Sequence, residues 1–435
     1  MNKYQSYKPS GVEWVGEIPE HWCKTKITYY CKVKDGTHDT PNYVDEGGYP
    51  LVTQKDITNG KLDFSKTKNI SEEDYFEINK RSNVEYNDII MSMIGSIGNP
   101  TIVDSQIKFS IKNVCLFKSS ESVEVVKYIH YFLDSQVVMN ELQIKLRGGV
   151  QGFVSLDVLR NLIYLRPPKS EQLQIVQFLD EKTELIDKLI STKEKKITLL
   201  KEQRTSLINQ VVTKGLNPNV KMKDSGVEWI GEIPEHWKLI KMKHKGDVII
   251  GLSYSPEDIV DENEGTLVMR SSNVQNGKPS FLDNVYVSTK IPEKIRLKIG
   301  DILICSRNGS RNLIGKNCLI TKNEEGLTFG VFMTVYRSRH YKFMYWLLNS
   351  PIFESQSGLF LTSTINQLTV STLQNMVLPF TDNENEQNQI VEYLDSKTKE
   401  INDLVQLEQK KIDLLKEYRQ SLISEVVTGK IKVTN

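Results

Sequence analysis

The sequence predicts tandem α/β (α+β) domains joined by two long antiparallel coiled-coil helices, arranged as an internal pseudo-twofold repeat. Three observations lead there. The chain repeats itself at a fixed offset of 215 residues, each copy ends in a long helical pattern with one apolar stripe, and short strand-like runs separated by Gly, Asn and Pro lie between those shared ends. At 435 residues there is room for two to four domains of roughly 100–200 residues each.

The repeat is the most informative feature. Residues 10–22 (S-G-V-E-W-V-G-E-I-P-E-H-W) return as residues 225–237 with one Val-to-Ile change in thirteen. The same offset maps 171–212 onto 386–427, including Lys195-Lys196-Ile197 onto Lys410-Lys411-Ile412. The predicted organisation is a first domain over 1–170, a helix over 171–215, a second domain over 216–385, and a second helix with the C-terminal tail over 386–435. Between the shared ends the halves keep only scattered echoes, such as Asn59-Gly60-Lys61 beside Asn276-Gly277-Lys278. One frame thus presents two different surfaces.

In the first copy Ile175, Leu179, Ile186, Leu189, Ile197, Leu200 and Leu207 step along one face of a helix, and Ile390, Leu394, Ile401, Leu404, Ile412, Leu415 and Leu422 repeat those steps. Neither stretch holds Pro or Gly before Gly215 and Gly429, and both are rich in Lys, Glu, Leu and Gln. Each reads as one helix of roughly 40 residues, about 60 Å long. A lone helix of that length leaves its stripe in water, and the only equally long partner is the other copy. Two copies meeting through the same patch are related by a twofold, which sets the helices antiparallel.

Between the shared ends, Tyr49-Pro50-Leu51-Val52, residues 88–92 and residues 301–305 read as strands, and residues 125–142 and 341–348 as helices. A mainly antiparallel, twisted sheet with helices beside it is expected.

Composition excludes several classes. With 39% hydrophobic and 26% charged residues the chain is neither disordered nor collagen-like. Its purely apolar runs are far shorter than the ~20 residues a membrane span needs. The N-terminal residues lack the apolar core of a signal peptide, and the five cysteines show no zinc spacing, so a reducing cytoplasm is the expected setting. The net charge is +1, and each of 1–170, 171–215 and 216–435 is balanced to within one charge. A polyanion would therefore have to meet local clusters or a partner's charge.

Catalytic motifs fail one by one. Gly309 to Asn317 resembles a phosphate loop but has five residues between its glycines and ends in Asn where Ser or Thr should hold Mg²⁺. Pro167-Pro168 lies between Arg166 and Lys169, unlike the Asn/Asp-Pro-Pro-aromatic motif of amino-methyltransferases. Asp187 with Glu194-Lys195-Lys196 mimics a nuclease cluster, yet sits on the predicted coiled coil. No histidines pair at metal-ligand spacing, and the repeat-related His21 and His236 read as structural. Neither catalytic nor metal residues are predicted.

What remains is a set of polar, glycine-containing loops that differ between the halves. In the first they carry Thr37, His38, Thr40, Gln54, Lys55, Arg147 and Gln151; in the second, Tyr254, Arg270, Ser272, Asn273, Arg307, Asn308, Arg311, Thr364 and Asn366. These residue types read base edges and hold phosphates, and the Arg307/Arg311 loop is the best candidate.

The duplicated frame, with SGVEW-x-GEIPEHW before each variable middle and EQ-x-x-IV…LD-x-KT…KKI-x-LLKE-x-R-x-SLI-x-x-VVT after it, resembles the specificity subunit of type I restriction-modification systems. The resemblance covers essentially the whole chain. It implies two target recognition domains, each reading one half of a split sequence in double-stranded DNA, with the helices setting the gap and docking modification (methyltransferase) subunits; restriction subunits join for cleavage. It also implies no active site or cofactor in this chain, S-adenosylmethionine, ATP and Mg²⁺ belonging to the partner subunits. A coiled-coil scaffold without nucleic acid, and a self-sufficient DNA methyltransferase, are the alternatives; the second lacks a cofactor motif.

Overall fold

The computed structural model describes residues 3–58, 60–95, 97–146, 152–360 and 367–433. The chain divides into two units, Met1–Glu194 with Gln409–Asn435, and Lys195–Glu408, so each unit takes part of both long helices.

In the first unit a four-stranded antiparallel sheet runs in the order Gly98–Ile102, Ile89–Ser92, Val114–Lys118, Lys32–Asp35. Ile89, Met91, Cys115, Phe117 and Val33 turn one face to a core that contains Trp22, Tyr128, Phe132 and Leu165. The opposite face, with Ile90, Val114 and Leu116, closes a second core with Val52, Phe109 and Ile111. The second sheet runs Ser110–Ile111, Tyr49–Val52, Lys68–Ile70, Tyr43–Val44, its first pair parallel and the rest antiparallel.

The second unit repeats this plan. Its sheets run Asn317–Leu319, Ile302–Cys305, Met333–Arg337, Asp247–Ile250, and Thr328–Phe329, Thr266–Met269, Tyr286–Val287, Ile259–Val260, again with one parallel pair, between Val268-Met269 and Thr328-Phe329. Trp237 takes the fully buried place of Trp22. The expected strands and the mainly antiparallel sheets are present.

The single helix expected over 125–142 is two, Val123–Leu133 and Gln136–Leu146. The buried Ser135 donates its hydroxyl to the Phe132 carbonyl at 2.6 Å, taking an acceptor that a continuing helix would use. The second unit breaks at the matching place, between Tyr341–Leu348 and Pro351–Phe360, with Ser350 donating to the Leu347 carbonyl at 2.7 Å.

The long helices span Lys169–Lys214 and Glu384–Val427. Pro167 and Pro168 precede the first, and Gly215 and Gly429, both at φ +70°, follow the two. In the first unit Glu171 shares contacts near the Gly429 end, through Tyr4 and Tyr7, while Arg419 Nε lies 3.2 Å from Asp187 Oδ1, so the paired segments run antiparallel. In the second unit Gly215 approaches Glu386 and Lys196 pairs with Glu408 at 3.0 Å, again antiparallel. Contacts at equivalent positions tie helix to domain in both units: the Tyr131 hydroxyl donates to Asp180 at 2.7 Å, and the Trp346 indole N–H to Asp395 at 3.1 Å.

Of the predicted stripe, Ile175, Leu179, Ile186, Ile197, Ile390, Leu394, Ile401, Ile412 and Leu422 are buried, and Leu200, Leu207 and Leu415 are half-buried. Leu189 and Leu404 are not part of it, being 51% and 42% exposed. Three residues after Ile186 or Ile401 a side chain swings about 60° off the stripe on one side, whereas four residues on it lies within about 40° on the other. Ile190 and Val405 occupy those places and are the half-buried residues. The ends of the stripe also serve the domains: Ile175 and Leu179 with Leu422 and Val426 complete the Trp22 core, and Val211 and Val212 with Ile390 and Leu394 complete the Trp237 core.

Candidate nucleic-acid interface

Each unit carries a groove beside its parallel strand pair. In the first unit the strand Lys32–Asp35 runs into Gly36, where a Cβ would stand 2.0 Å from the Ile111 carbonyl oxygen. Only glycine permits that approach, which lets Thr37 bridge Lys112. In the second unit Gly251 plays the same part, 2.3 Å from the Gly330 carbonyl oxygen, and Leu252 bridges Gly330.

After the strand Tyr49–Val52 the chain makes a 3-10 turn in which Asp56 Oδ2 accepts from the Thr53 N–H at 2.8 Å and from its hydroxyl at 2.8 Å. After Thr266–Met269 the matching turn has Asn273 Oδ1 accepting from the Arg270 N–H at 2.9 Å. The turns lift Gln54 and Lys55 in one unit, Ser271 and Ser272 in the other.

The groove of the first unit, about 360 Å³, is lined by Gln54, Lys55, Lys66, Lys68, Lys112 and Asn113, among others. Lys68 lies 5.0 Å from the Tyr43 ring centre, and no carboxylate pairs with any of the four ammonium groups among the described residues. Thr37, His38 and Thr40 stand behind the lining: His38 bonds Asn113 Oδ1 at 2.8 Å and Asp35 at 3.0 Å, and Lys112 Nζ donates to Thr40 at 3.4 Å. The loops around 37–40 and 54–55 therefore converge. Arg147 and Gln151 lie outside the described residues.

The groove of the second unit is larger, about 1050 Å³, and is lined by Tyr254, Arg270, Ser272, Arg307, Asn308 and Phe332 with their neighbours. Asn308 Nδ2 donates to Ser271 at 2.9 Å, tying two of its walls together. Two expected residues fall elsewhere. Asn273 is fully buried and donates its amide to the Ser280 and Asp283 carbonyls at 2.9 and 3.1 Å, so its side chain braces the turn. Arg311 is exposed but turns to the Gly358 carbonyl at 3.3 Å, outside the groove lining. Thr364 and Asn366 lie outside the described residues.

Lys66, Lys68, Lys112, Asn113 and Phe332 had not been singled out from the sequence. Lys112 and Asn113 follow the strand Ser110–Ile111, Lys66 and Lys68 lie before and at the start of Lys68–Ile70, and Phe332 precedes Met333–Arg337; such positions become distinctive only once the strand pairings bring 110–111 beside 51–52 and 328–329 beside 268–269.

Among the described residues, nothing lining either groove resembles a catalytic centre. Burial raises the pKa of Cys305, beneath the Arg307 loop, and pushes the Cys31 and Cys318 thiols up to about 12, so these stay protonated and unreactive at neutral pH. The nuclease-like cluster is made of inter-helix contacts, Asp187 with Arg419 and Lys196 with Glu408. His21 and His236 bind Glu171 and Glu386 at 2.9 and 3.0 Å, a matched pair of structural clasps. Among the described residues no group of acidic, His or Cys side chains is placed to hold a metal ion, and no helix is long and apolar enough to cross a membrane.

Comparison with known proteins points the same way. Residues 19–199 match the family model of the type I restriction modification DNA specificity domain. The chain is 25% identical over 433 residues to the type I restriction enzyme MjaVIII specificity subunit of Methanocaldococcus jannaschii, covering 96% of this chain and 95% of that one. It is 24% identical over 208 residues to the EcoKI specificity subunit of Escherichia coli, covering 46% and 44%. A solved structure described as concerning complex assembly and conformational transition of a type I restriction-modification system shares the fold, with a TM-score of 0.69 at 16% identity over 95% of this chain and 99% of that one.

Proposed function

We propose, from the premise that this chain belongs to the specificity subunits of type I restriction-modification systems, that it is the sequence-reading, non-catalytic component of such a complex. In this reading the first unit's groove reads one half of a bipartite target in double-stranded DNA and the second unit's groove reads the other. One observation carries it. The same frame position, bounded by the same parallel strand pair and capped turn, is lined by four Lys with Tyr43, Gln54 and Asn113 in one unit and, among the described residues, by two Arg and no Lys, with Ser271, Ser272, Asn308, Tyr254 and Phe332, in the other. A scaffold has no use for a repeated groove with unlike linings, whereas two different half-sites demand it.

The contacting residues proposed are Thr37, His38, Thr40, Gln54, Lys55, Lys112, Tyr254, Arg270, Ser272, Arg307 and Asn308. The long helices are proposed to set the spacing between half-sites and to dock the methyltransferase subunits, with restriction subunits joining them in the cytoplasm. S-adenosylmethionine, ATP and Mg²⁺ act in those partners. Near-neutral charge fits a chain that shares phosphate attraction with its partners.

Exchange of residues 24–165 for the corresponding domain of another specificity subunit, followed by base-resolution mapping of N6-methyladenine in the host, tests the reading. Half of the methylated motif should change and the other half should stay. Methylation untouched by the exchange would identify a scaffold. Methyl transfer to DNA by the isolated chain would identify an enzyme.

A further inference from the structure

The second unit's groove holds two arginines, with a third close by, and their surroundings separate them. Arg270 is paired with Asp283, Nη2 to Oδ2 at 2.9 Å, and its guanidinium also reaches the Asp283 carbonyl. Arg311 is turned to the Gly358 carbonyl. Arg307 differs from both. Its guanidinium carbon lies 5.1 Å from the centre of the Phe332 ring, and among the described residues its N–H donors meet no carboxylate and no hydrogen-bond acceptor.

The backbone beneath it is fixed. The Arg307 N–H donates to the Phe332 carbonyl at 3.0 Å, Arg307 bridges Gln367, and the next residue, Asn308, is tied to Ser271. A stacked guanidinium keeps its plane and its fork of donors while losing little further freedom on binding. Phe332 is itself 53% exposed, so the stack stands at the groove's open side.

From this geometry we infer that Arg307, held by Phe332, determines specificity by donating both arms of its guanidinium to O6 and N7 of a guanine in the half-site read by the second unit. The inference rests on the DNA-recognition reading above and deepens it. Guanine presents two acceptors side by side in the major groove, the one base edge that a flat, doubly donating cation matches. The equivalent position in the first unit is Ile94, which bridges Phe153 as Arg307 bridges Gln367 and has no donor to offer. The device therefore belongs to one half-site. Phe332 is a positioning residue; Arg270 and Arg311 each already spend an Nη2 donor on an acceptor of the protein, so neither offers the full fork that Arg307 does.

The test uses the full complex in cells. Methylated sites are mapped for the parent, Arg307→Ala and Arg307→Lys, with the domain exchange assigning each half-site to its unit. A G·C pair is expected in the second unit's half. Arg307→Ala should relax that pair alone, lowering discrimination by roughly 5- to 150-fold, and Arg307→Lys should keep a weaker preference. In binding assays with the purified complex, 7-deazaguanine at that pair should weaken the parent and leave Arg307→Ala unaffected, while inosine, which keeps O6 and N7, should be tolerated. An unchanged motif in Arg307→Ala, or a second half-site with no G·C pair, overturns this inference alone. A parent strain with no bipartite motif overturns the DNA-recognition reading and the inference with it.

Discussion

Replacing Lys66, Lys68 and Lys112 by Ala removes three of the four ammonium groups lining the first unit's groove. None of the three pairs with a carboxylate among the described residues, so no ion pair is lost, and Lys66 and Lys68 are exposed. The expected effect is therefore on DNA and not on folding. Each lysine seated on a phosphate contributes about 0.9 to the negative slope of log K against log salt. Removing three should make that slope shallower by up to about 2.7. A fourfold rise in salt would then weaken the variant about 40-fold less than the parent. The assay is equilibrium binding of a labelled target duplex to the purified complex, titrated from about 50 to 200 mM salt. Target and non-target duplexes should lose affinity alike, because phosphate contacts carry no sequence information. A variant slope equal to the parent's would refute the placement of DNA over this groove.

Two further outcomes test the frame. Leu179→Ala empties a fully buried site in the Trp22 core and should cost ~2–5 kcal/mol, while Leu189→Ala, on the exposed side of the same helix, should stay within about 0.5 kcal/mol; equal losses in denaturant titrations would contradict the stripe described here. Desolvation holds the pKa of His130 below the usual histidine value, against the opposing pull of Asp134, while its Nε2 lies 3.0 Å from the Pro100 carbonyl oxygen. The unfolded chain therefore takes up that proton first, so this contribution to stability is complete above about pH 6.5 and declines as pH falls toward the lowered native value. Melting temperatures of His130→Gln should decline less than the parent's across that interval, and parallel curves would show that His130 is not the group responsible.

Much of the molecule was legible without coordinates. A 215-residue offset, matched to within one residue in thirteen at its start, dictated a duplicated frame. Apolar residues at helical spacing without Gly or Pro dictated two helices of nearly equal length, because backbone hydrogen bonding and 3.6-residue periodicity are local properties. The failed catalytic motifs were equally local.

Tertiary structure decided the rest. Which of Leu189 and Ile190 faces the partner depends on a rotation of a few tens of degrees, smaller than a list of plausible stripe positions can resolve. The break at Ser135 depends on a hydroxyl finding the Phe132 carbonyl in a buried setting. Asn273 looked like a base reader until the capped turn claimed its amide. Most of all, Lys112 and Lys55 stand far apart in sequence, and only the parallel pairing of Ser110-Ile111 with Leu51-Val52 makes them walls of one groove. Strand partners are chosen by burial of whole faces across long stretches of chain, so the residues such pairing brings together share a site without sharing a local pattern.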